Sequence, residues 1–454
     1  MSAGGRRYPA GSTARLRADV LAVLGVLKVA TPEQITRITR PDLFAAGRAE
    51  PTKAHRNAAL DLARHRETVS EGRTVEGKKL WGLTPLGLES AGRVLDRPLE
   101  EMGTVARGVG RHGAAHAMAV NDTVAAFLQP ASGRGLGSLA GWSTEVPLPA
   151  VGTWTRPGRG GVRADAVLTA PEDNVPLLFV EVDCGHMSAE RIAAKLPAYL
   201  RFLNRTVKDT DGRPRPMWRT RWPATTGTTL GEGLYPPESK YPPLLLVFTG
   251  RSPGGLHRLT KEVCRLTAGQ WAPYRVQANG ATAIREEDAA YRDYRDALPV
   301  LATTLDRLVE HGPRGAVFWR FGHDRWEPLH QALADPDGAQ AYRDRRRREE
   351  ERRQEQQRRA EAEREARLPK CTQCGARFSE TRIAYLAGED GRDDPHPELC
   401  HTCAYTVEHD ARMAELEAQK AARQAAEEAE LEDEDEEYRR SQRLHRRLWR
   451  HLRI

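Results

Sequence analysis

Two sets of side chains in this 454-residue chain are spaced for chemistry. The first is Cys371-Thr372-Gln373-Cys374-Gly375, followed by Cys400-His401-Thr402-Cys403. Paired CxxC motifs at this separation supply four thiolates, the donor set of a closed tetrahedral zinc site with no position left for water. Gly375 permits the tight turn that lets backbone amides face the sulfurs, and a helix opening at Cys400 favours thiolate charge. A segment this short, with few large apolar residues, depends on its metal to stay folded. His396, His401 and His409 are substitute ligands, and a redox pair or unbound thiols is the other reading. Cys184 and Cys264 stand alone and read as buried or inert thiols.

The second set is acidic. Residues 162–169, VRADAVLT, read as a strand with Asp165 in its middle. After a turn at Pro171–Asn174, residues 177–183, LLFVEVD, read as another strand. Alternation puts Glu181 and Asp183 on one face and Val180 and Val182 on the other. Asp165 and Glu181 on neighbouring strands can hold one Mg²⁺ with few protein ligands, leaving sites for water and phosphate, and Asp183 is a candidate third ligand. Such an ion lowers the pKa of bound water and neutralises phosphoryl charge. The next helix starts near Ser188, with Ile192, Leu196, Tyr199, Leu200 and Leu203 as its apolar side. Lys195 lies beside that stripe and brings an ammonium to the same charge. The competing reading is a solvated strand edge with a snorkelling lysine. Tyr199 reads as core, with a nucleophile for a covalent DNA intermediate as the other reading; His116 and Asn121 read as structural residues of a helix over 114–128, with a place lining the site as the other reading. Trp142–Leu148 reads as a further strand, and Leu244–Phe248, apolar throughout, as a sheet centre.

Ahead of these lie three helices and a hairpin. Leu16, Val20, Val23, Leu24 and Leu27 recur at helical spacing. Thr31-Pro32-Glu33-Gln34 has the makings of a capping box. A third helix is expected over about Thr52–Arg66, with Lys53, His55, Arg56 and Asn57 in its first turns. Arg73, Lys78 and Lys79 fall on the hairpin that leads into Leu80-Trp81-Gly82-Leu83. A helix fits the major groove and a wing grips phosphate, so these seven residues are the candidate DNA contacts of a winged helix-turn-helix over 15–100. A protein–protein module of the same shape is the alternative.

The acidic strands and the lysine helix resemble the PD-(D/E)xK nuclease fold. More closely, the span from about 15 to 255 resembles the replication-relaxation family, tied to plasmid and conjugative-element DNA processing. The resembling pieces are the winged helix, HAMAVND from His116 to Asp122, the Glu145 strand, RADAVL from Arg163, and FVEVDCGHMSAERIAAKLPAY from Phe179 to Tyr199. The resemblance implies double-stranded DNA as partner, with single-stranded DNA or element-encoded transfer and replication proteins beside it. It also implies a Mg²⁺-dependent endonuclease or relaxase-like nickase working through Asp165, Glu181, Asp183 and Lys195. The chain departs from the nuclease pattern in having Asp183, not lysine, two positions after Glu181. A non-catalytic DNA-binding regulator or adaptor with a degenerate nuclease-like domain is therefore the alternative.

The organisation expected is multi-domain α/β. A disordered tail (1–14) precedes the winged helix-turn-helix (15–100) and a central PD-(D/E)xK-like mixed α/β domain (101–335) with an insertion at 204–240. A charged helical spacer (336–368), the four-Cys zinc module (369–410) and a charged helical tail (411–454) follow. In the insertion, Arg213, Arg215, Arg219 and Arg221 surround Trp218 and Trp222, suiting either backbone grip with base stacking or plain disorder. The spacer has i,i+4 charge pairs and no apolar seam, so it reads as a solvated helix roughly 40 Å long rather than a coiled coil. The tail is acidic from Glu427 to Glu437. Behind that come Arg439, Arg440, Arg443, Arg446, Arg447, Arg450 and Arg453, with Leu444, Leu448, Trp449 and Leu452 as a small apolar stripe; it reads as a nucleic-acid or partner contact, or as a tail folding on its own acidic segment. Net charge is +7 and the pI about 9.1, which suits a polyanion without proving one. No apolar run approaches a membrane span and the N-terminus lacks a secretory signal, so a cytoplasmic protein without a membrane partner is expected.

Overall fold

The computed structural model describes residues 8–45, 49–106, 111–129, 135–208, 212–222, 241–335 and 337–451. Residues 1–7 of the expected tail, 209–211 and 223–240 of the expected insertion, and the side chains of Leu448, Trp449, Arg450, Leu452 and Arg453 lie outside the described residues. The chain forms two compact units, Met1–Arg345 and Arg346–Ile454.

In the first unit, α1 (Ala14–Leu27) starts where Thr13 accepts from the Leu16 amide, and buries Val20, Val23, Leu24 and Leu27. A two-residue strand, β1 (Val29–Ala30), leads to α2 (Pro32–Thr39), whose capping box forms as the sequence suggests: Thr31 accepts from the Gln34 amide and Gln34 bonds back. After a single turn of helix at Asp42–Ala45, the expected third helix, α3, is Lys53–Arg64. Then β2 (Thr68–Arg73) and β3 (Lys79–Leu83) make the hairpin, and β1 adds to its other edge in the order β1-β3-β2. Next come α4 (Pro85–Leu95) and α5 (Arg111–Leu128).

Residues 8–13 of the expected tail are held against the helices. Asp61 on α3 is buried and needs donors, which the Ala10 and Ser12 amides and the Ser12 hydroxyl supply at 2.8, 3.1 and 2.6 Å.

The main sheet contains β4 (Trp142–Leu148), β5 (Val162–Ala170), β6 (Val175–Asp183), β7 (Leu244–Phe248), β8 (Val300–Thr304) and β9 (Trp319–Arg320). Among the described residues its order is β9-β8-β7-β6-β5-β4. The pairs β6–β7 and β7–β8 are parallel, so their carboxyl ends, Asp183, Phe248 and Thr304, lie side by side. Every residue of β6 is buried, as befits a strand with neighbours on both sides and layers on both faces. Between β6 and β7 lie α6 (Ala189–Ala193) and α7 (Lys195–Leu203) rather than the single helix expected. The break falls at Ala194, because Pro197 has no N–H to bond back to Ala193. After β7 comes α8 (Pro253–Leu266), and after β8 comes α9 (Leu305–His311).

Two apolar layers sandwich the sheet. One joins Leu24, Ile35 and Trp81 of the N-terminal helices and hairpin to Val124, Phe127, Trp142, Val180 and Val182. The other joins Val167, Phe179, Leu196, Tyr199 and Phe202. The N-terminal helices are thus built into the same core as the sheet. Polar bonds pin the join: Asn121 Nδ2 donates to the Val29 carbonyl (2.8 Å) and to Gln34 Oε1 (3.0 Å), and Thr144 donates to the Val26 carbonyl (2.5 Å).

In the second unit, α10 (Ala339–Arg367), which begins in the first, has no buried residue and runs about 44 Å at 1.5 Å per residue. Its charges pair along the helix, as in Arg359–Glu355 at 2.6 Å. The cysteine segment follows, with α11 (Glu380–Ala387), and α12 (His401–His451) carries the acidic and basic runs in one helix. Among the described residues the basic run continues the acidic one in that single helix, with Arg439 paired to Asp435 at 3.0 Å. Among the described residues no helix is long and apolar enough to cross a membrane.

Candidate functional site

Asp165 lies where β5 changes face. Ala166 packs in the layer with α5 and Ala164 in the layer with α7. On the partner strand Glu145 takes φ +50°, in the left-handed region, between the paired Thr144 and Val146. The Asp165 side chain therefore reaches the rim between layers. Its Oδ2 accepts from the Val182 amide at 2.8 Å, and its Oδ1 lies 3.0 Å from His116 Nε2 on α5. Glu181, one step beyond the Ala166–Val180 pair, is only 2% exposed. Its Oε1 accepts from the Tyr199 hydroxyl at 2.6 Å and its Oε2 from the Lys195 ammonium. The two carboxylates, from adjacent strands, and the lysine that opens α7 thus come together.

The electrostatics follow from that crowding. Burial, then the Asp165 charge, push the Glu181 carboxyl up to about 7, against the pull of Lys195 and Tyr199. Burial works against ionised Asp165 too, but the His116 hydrogen bond and charge, with Lys195, hold it below its ordinary value. Lys195 is disfavoured by burial, yet Glu181 and Asp165 raise it on balance. His116 is pushed up to about 10, first by Asp165 and then by Cys184, whose Sγ is 3.8 Å from Nδ1.

Asp183 does not join this pair as a free ligand. Its Oδ2 accepts from Arg251 Nε, in the loop after β7, at 3.1 Å and its Oδ1 from the Met187 amide, in the loop after β6, at 3.2 Å, so both oxygens are occupied. His116, read from sequence first as a structural helix residue and only second as lining the site, faces Asp165, and Cys184 sits against it.

The candidate DNA contacts divide. Lys53 and Arg56 are exposed on α3, near Glu50 at 3.4 and 3.9 Å. His55 is fully buried, held by Thr36 (2.9 Å) and Thr39 (3.1 Å), and is corrected to a core residue. It lies four and seven positions before Ala59 and Leu62, which puts it on the apolar side of its own helix. Asn57 is partly covered and donates to the Ala10 carbonyl at 3.3 Å. On the hairpin, Arg73 donates to the Gly77 carbonyl at 2.7 Å, Lys78 pairs with Glu33, and the Lys79 ammonium lies 3.9 Å from the Trp81 ring centre. Trp218 and Trp222 of the insertion point inward: Trp218 is buried, and Trp222 packs edge-on against Trp154 and Phe179. They are spent on the core rather than offered to bases.

In the second unit the four sulfurs of Cys371, Cys374, Cys400 and Cys403 lie within 4.8 Å of one another, close enough to hold a metal. Gly375 takes φ +72° with open space where a Cβ would stand, and donates to the Cys371 carbonyl at 2.9 Å. Backbone amides of Cys374 and Cys400 bring the Cys371 thiol down to about 6, while the neighbouring Cys400 thiol, then burial, push Cys403 up to about 12. The segment is braced by buried Arg382, which binds Asp394 at 2.7 and 3.2 Å and the Leu399 carbonyl at 3.0 Å. That brace carries no local sequence signal.

No curated protein and no solved structure matches the chain. Residues 21–213, which hold Asp165, Glu181 and Lys195, match the family model described as Replication-relaxation.

Proposed function

We propose that this is a DNA-binding protein of plasmid or integrative-element replication or mobilisation. The N-terminal helices and hairpin act as a winged helix-turn-helix on duplex DNA, and Asp165, Glu181 and Lys195 form a phosphodiester-cleaving site of the PD-(D/E)xK type. The observation that carries the second part is the convergence of two carboxylates from adjacent strands with the lysine of the following helix. The donors suit Mg²⁺ in kind, being hard oxygens, and as two protein ligands they leave coordination positions for water and phosphate. Bound there, Mg²⁺ would supply an activated water and charge neutralisation at the phosphoryl oxygens. Lys195 holds a proton beside Glu181 Oε2 and is placed to meet the same phosphoryl charge. Tyr199 fixes the other oxygen of Glu181, and His116 orients Asp165.

One observation favours a second reading, in which the domain holds DNA without cutting it. All four carboxylate oxygens of Asp165 and Glu181 already accept from, or face, a protein donor. On the cleaving reading His116 and Lys195 must yield these positions when the ion enters.

The four-cysteine cluster is proposed as a structural zinc site. Zn–S bonds near 2.3 Å at the tetrahedral angle put sulfurs roughly 3.8 Å apart. Cys374 and Cys400 are already at 3.7 Å.

DNA binding is tested by the affinity of the full chain for a duplex oligonucleotide. Lys53→Ala with Arg56→Ala should weaken it several-fold and flatten its salt dependence, as lost phosphate contacts do. Unchanged affinity would remove α3 as the reader.

A further inference from the structure

Beyond the carboxyl ends of β7 and β8 lies a groove of about 1120 Å³ that neither the acidic site nor the winged helix uses. It is larger than a typical small-molecule pocket, and it sits where open sheets with parallel strands bind their ligands. Its walls are aromatic: Trp271, Trp319 and Trp326 all line it, and Trp326 is 37% exposed. Its charged lining is mainly basic. Arg307 lies with its guanidinium carbon 4.2 Å from the centre of the Trp326 ring, and its Nε is buried with no hydrogen-bond partner. A buried orphan donor on a cation calls for an acceptor from outside the chain. Lys261 and His257, exposed on α8, make no ion pair with the described residues. Arg251 lines the same groove and reaches back to Asp183, so the groove begins beside the acidic site.

We propose that this groove is a second nucleic-acid site, which takes a single strand with bases against the tryptophans and phosphates on Arg307, Lys261 and His257. Aromatic faces stack on any base and cations track the backbone, a combination that serves single strands rather than duplex, whose bases are already stacked. The proposal rests on the DNA-processing reading above: a strand freed at the acidic site would have a place to lie.

The test is fluorescence anisotropy of a short labelled oligothymidine with the full chain, in EDTA so that no cleavage chemistry enters. Trp326→Ala should weaken binding about tenfold, the scale of one lost stacked base. Lys261→Glu, an exposed change that leaves the core untouched, should weaken it several-fold and reduce the salt slope. Neither variant should change duplex affinity, whereas Lys53→Ala with Arg56→Ala should lower duplex affinity and spare the single strand. That contrast separates failure of this site from failure of the winged-helix reading. An oligouridine arm names the strand chemistry, and preferred binding of either strand supports the site. Wild-type affinity for both oligonucleotides in Trp326→Ala and Lys261→Glu would overturn it. So would an apolar dye that binds the wild type, is lost in Trp326→Ala and is not displaced by oligothymidine, since the groove would then serve an apolar occupant.

Discussion

Glu181→Gln should flatten the pH dependence of folding stability. The wild-type carboxyl keeps its proton to about pH 7 when folded, against an ordinary value of 4.5. The folded state therefore binds more protons than the unfolded state between those values, and stability falls as pH rises through that window. From pH 5 to pH 8 the cost is about two pK units, or about 2–3 kcal/mol. Glutamine keeps one acceptor, for the Lys195 ammonium, turns its amide N–H toward the Tyr199 oxygen, which can accept, and has no proton to lose. His116, raised to about 10, also loses stability as pH climbs from 6.5, and Asp165, depressed, loses it as pH falls below its ordinary 3.8. Both remain in the variant, so the difference between the two proteins isolates Glu181. Urea unfolding followed by tryptophan fluorescence at pH 5 and pH 8 reads it. A wild-type loss larger than the variant's by about 2–3 kcal/mol is expected. Equal losses would show that Glu181 is not held protonated by burial and by Asp165.

Other outcomes follow from the same geometry. His116→Ala removes the cation facing Asp165 Oδ1 and should raise Mg²⁺ affinity in a calorimetric titration; lower affinity would mean that His116 supports the ion instead of competing with it. Elemental analysis of the purified chain should give one zinc per molecule. Cys371→Ser should lose that zinc and with it the protection of residues 371–404 from proteolysis, because a core of Phe378, Leu399, Ala404 and the thiols is too small to stand without metal. A metal-free chain with that segment still protected would refute the zinc assignment.

Much of the positioning frame could be read from residue order. Alternation located β5 and β6, the uniform apolar run located β7, and Thr31 with Gln34 marked the start of α2. Lys195 was expected beside the apolar stripe of a single helix after β6; it instead opens the second of two helices, and it is from there that it reaches Glu181. What was hidden depends on distant partners. His116 gains its role only because β5 twists Asp165 toward α5, 49 positions away in sequence. Asp183 looks like a ligand until Arg251, 68 positions on, takes its oxygen. The strands β8 and β9 have five and two residues, too short for periodicity to register. His55 is different in kind, because its spacing to Ala59 and Leu62 was visible; its basic neighbours Lys53 and Arg56 outweighed the pattern.

The central claim is that Asp165, Glu181 and Lys195 act together on a phosphodiester. Nicking of supercoiled plasmid by the full chain in Mg²⁺ tests it most directly. The account predicts conversion to open circles that depends on Mg²⁺ and disappears in Asp165→Ala and Glu181→Ala. No conversion by the wild type across element-derived substrates, or conversion by Asp165→Ala at the wild-type rate, would contradict it and leave DNA holding as the domain's role.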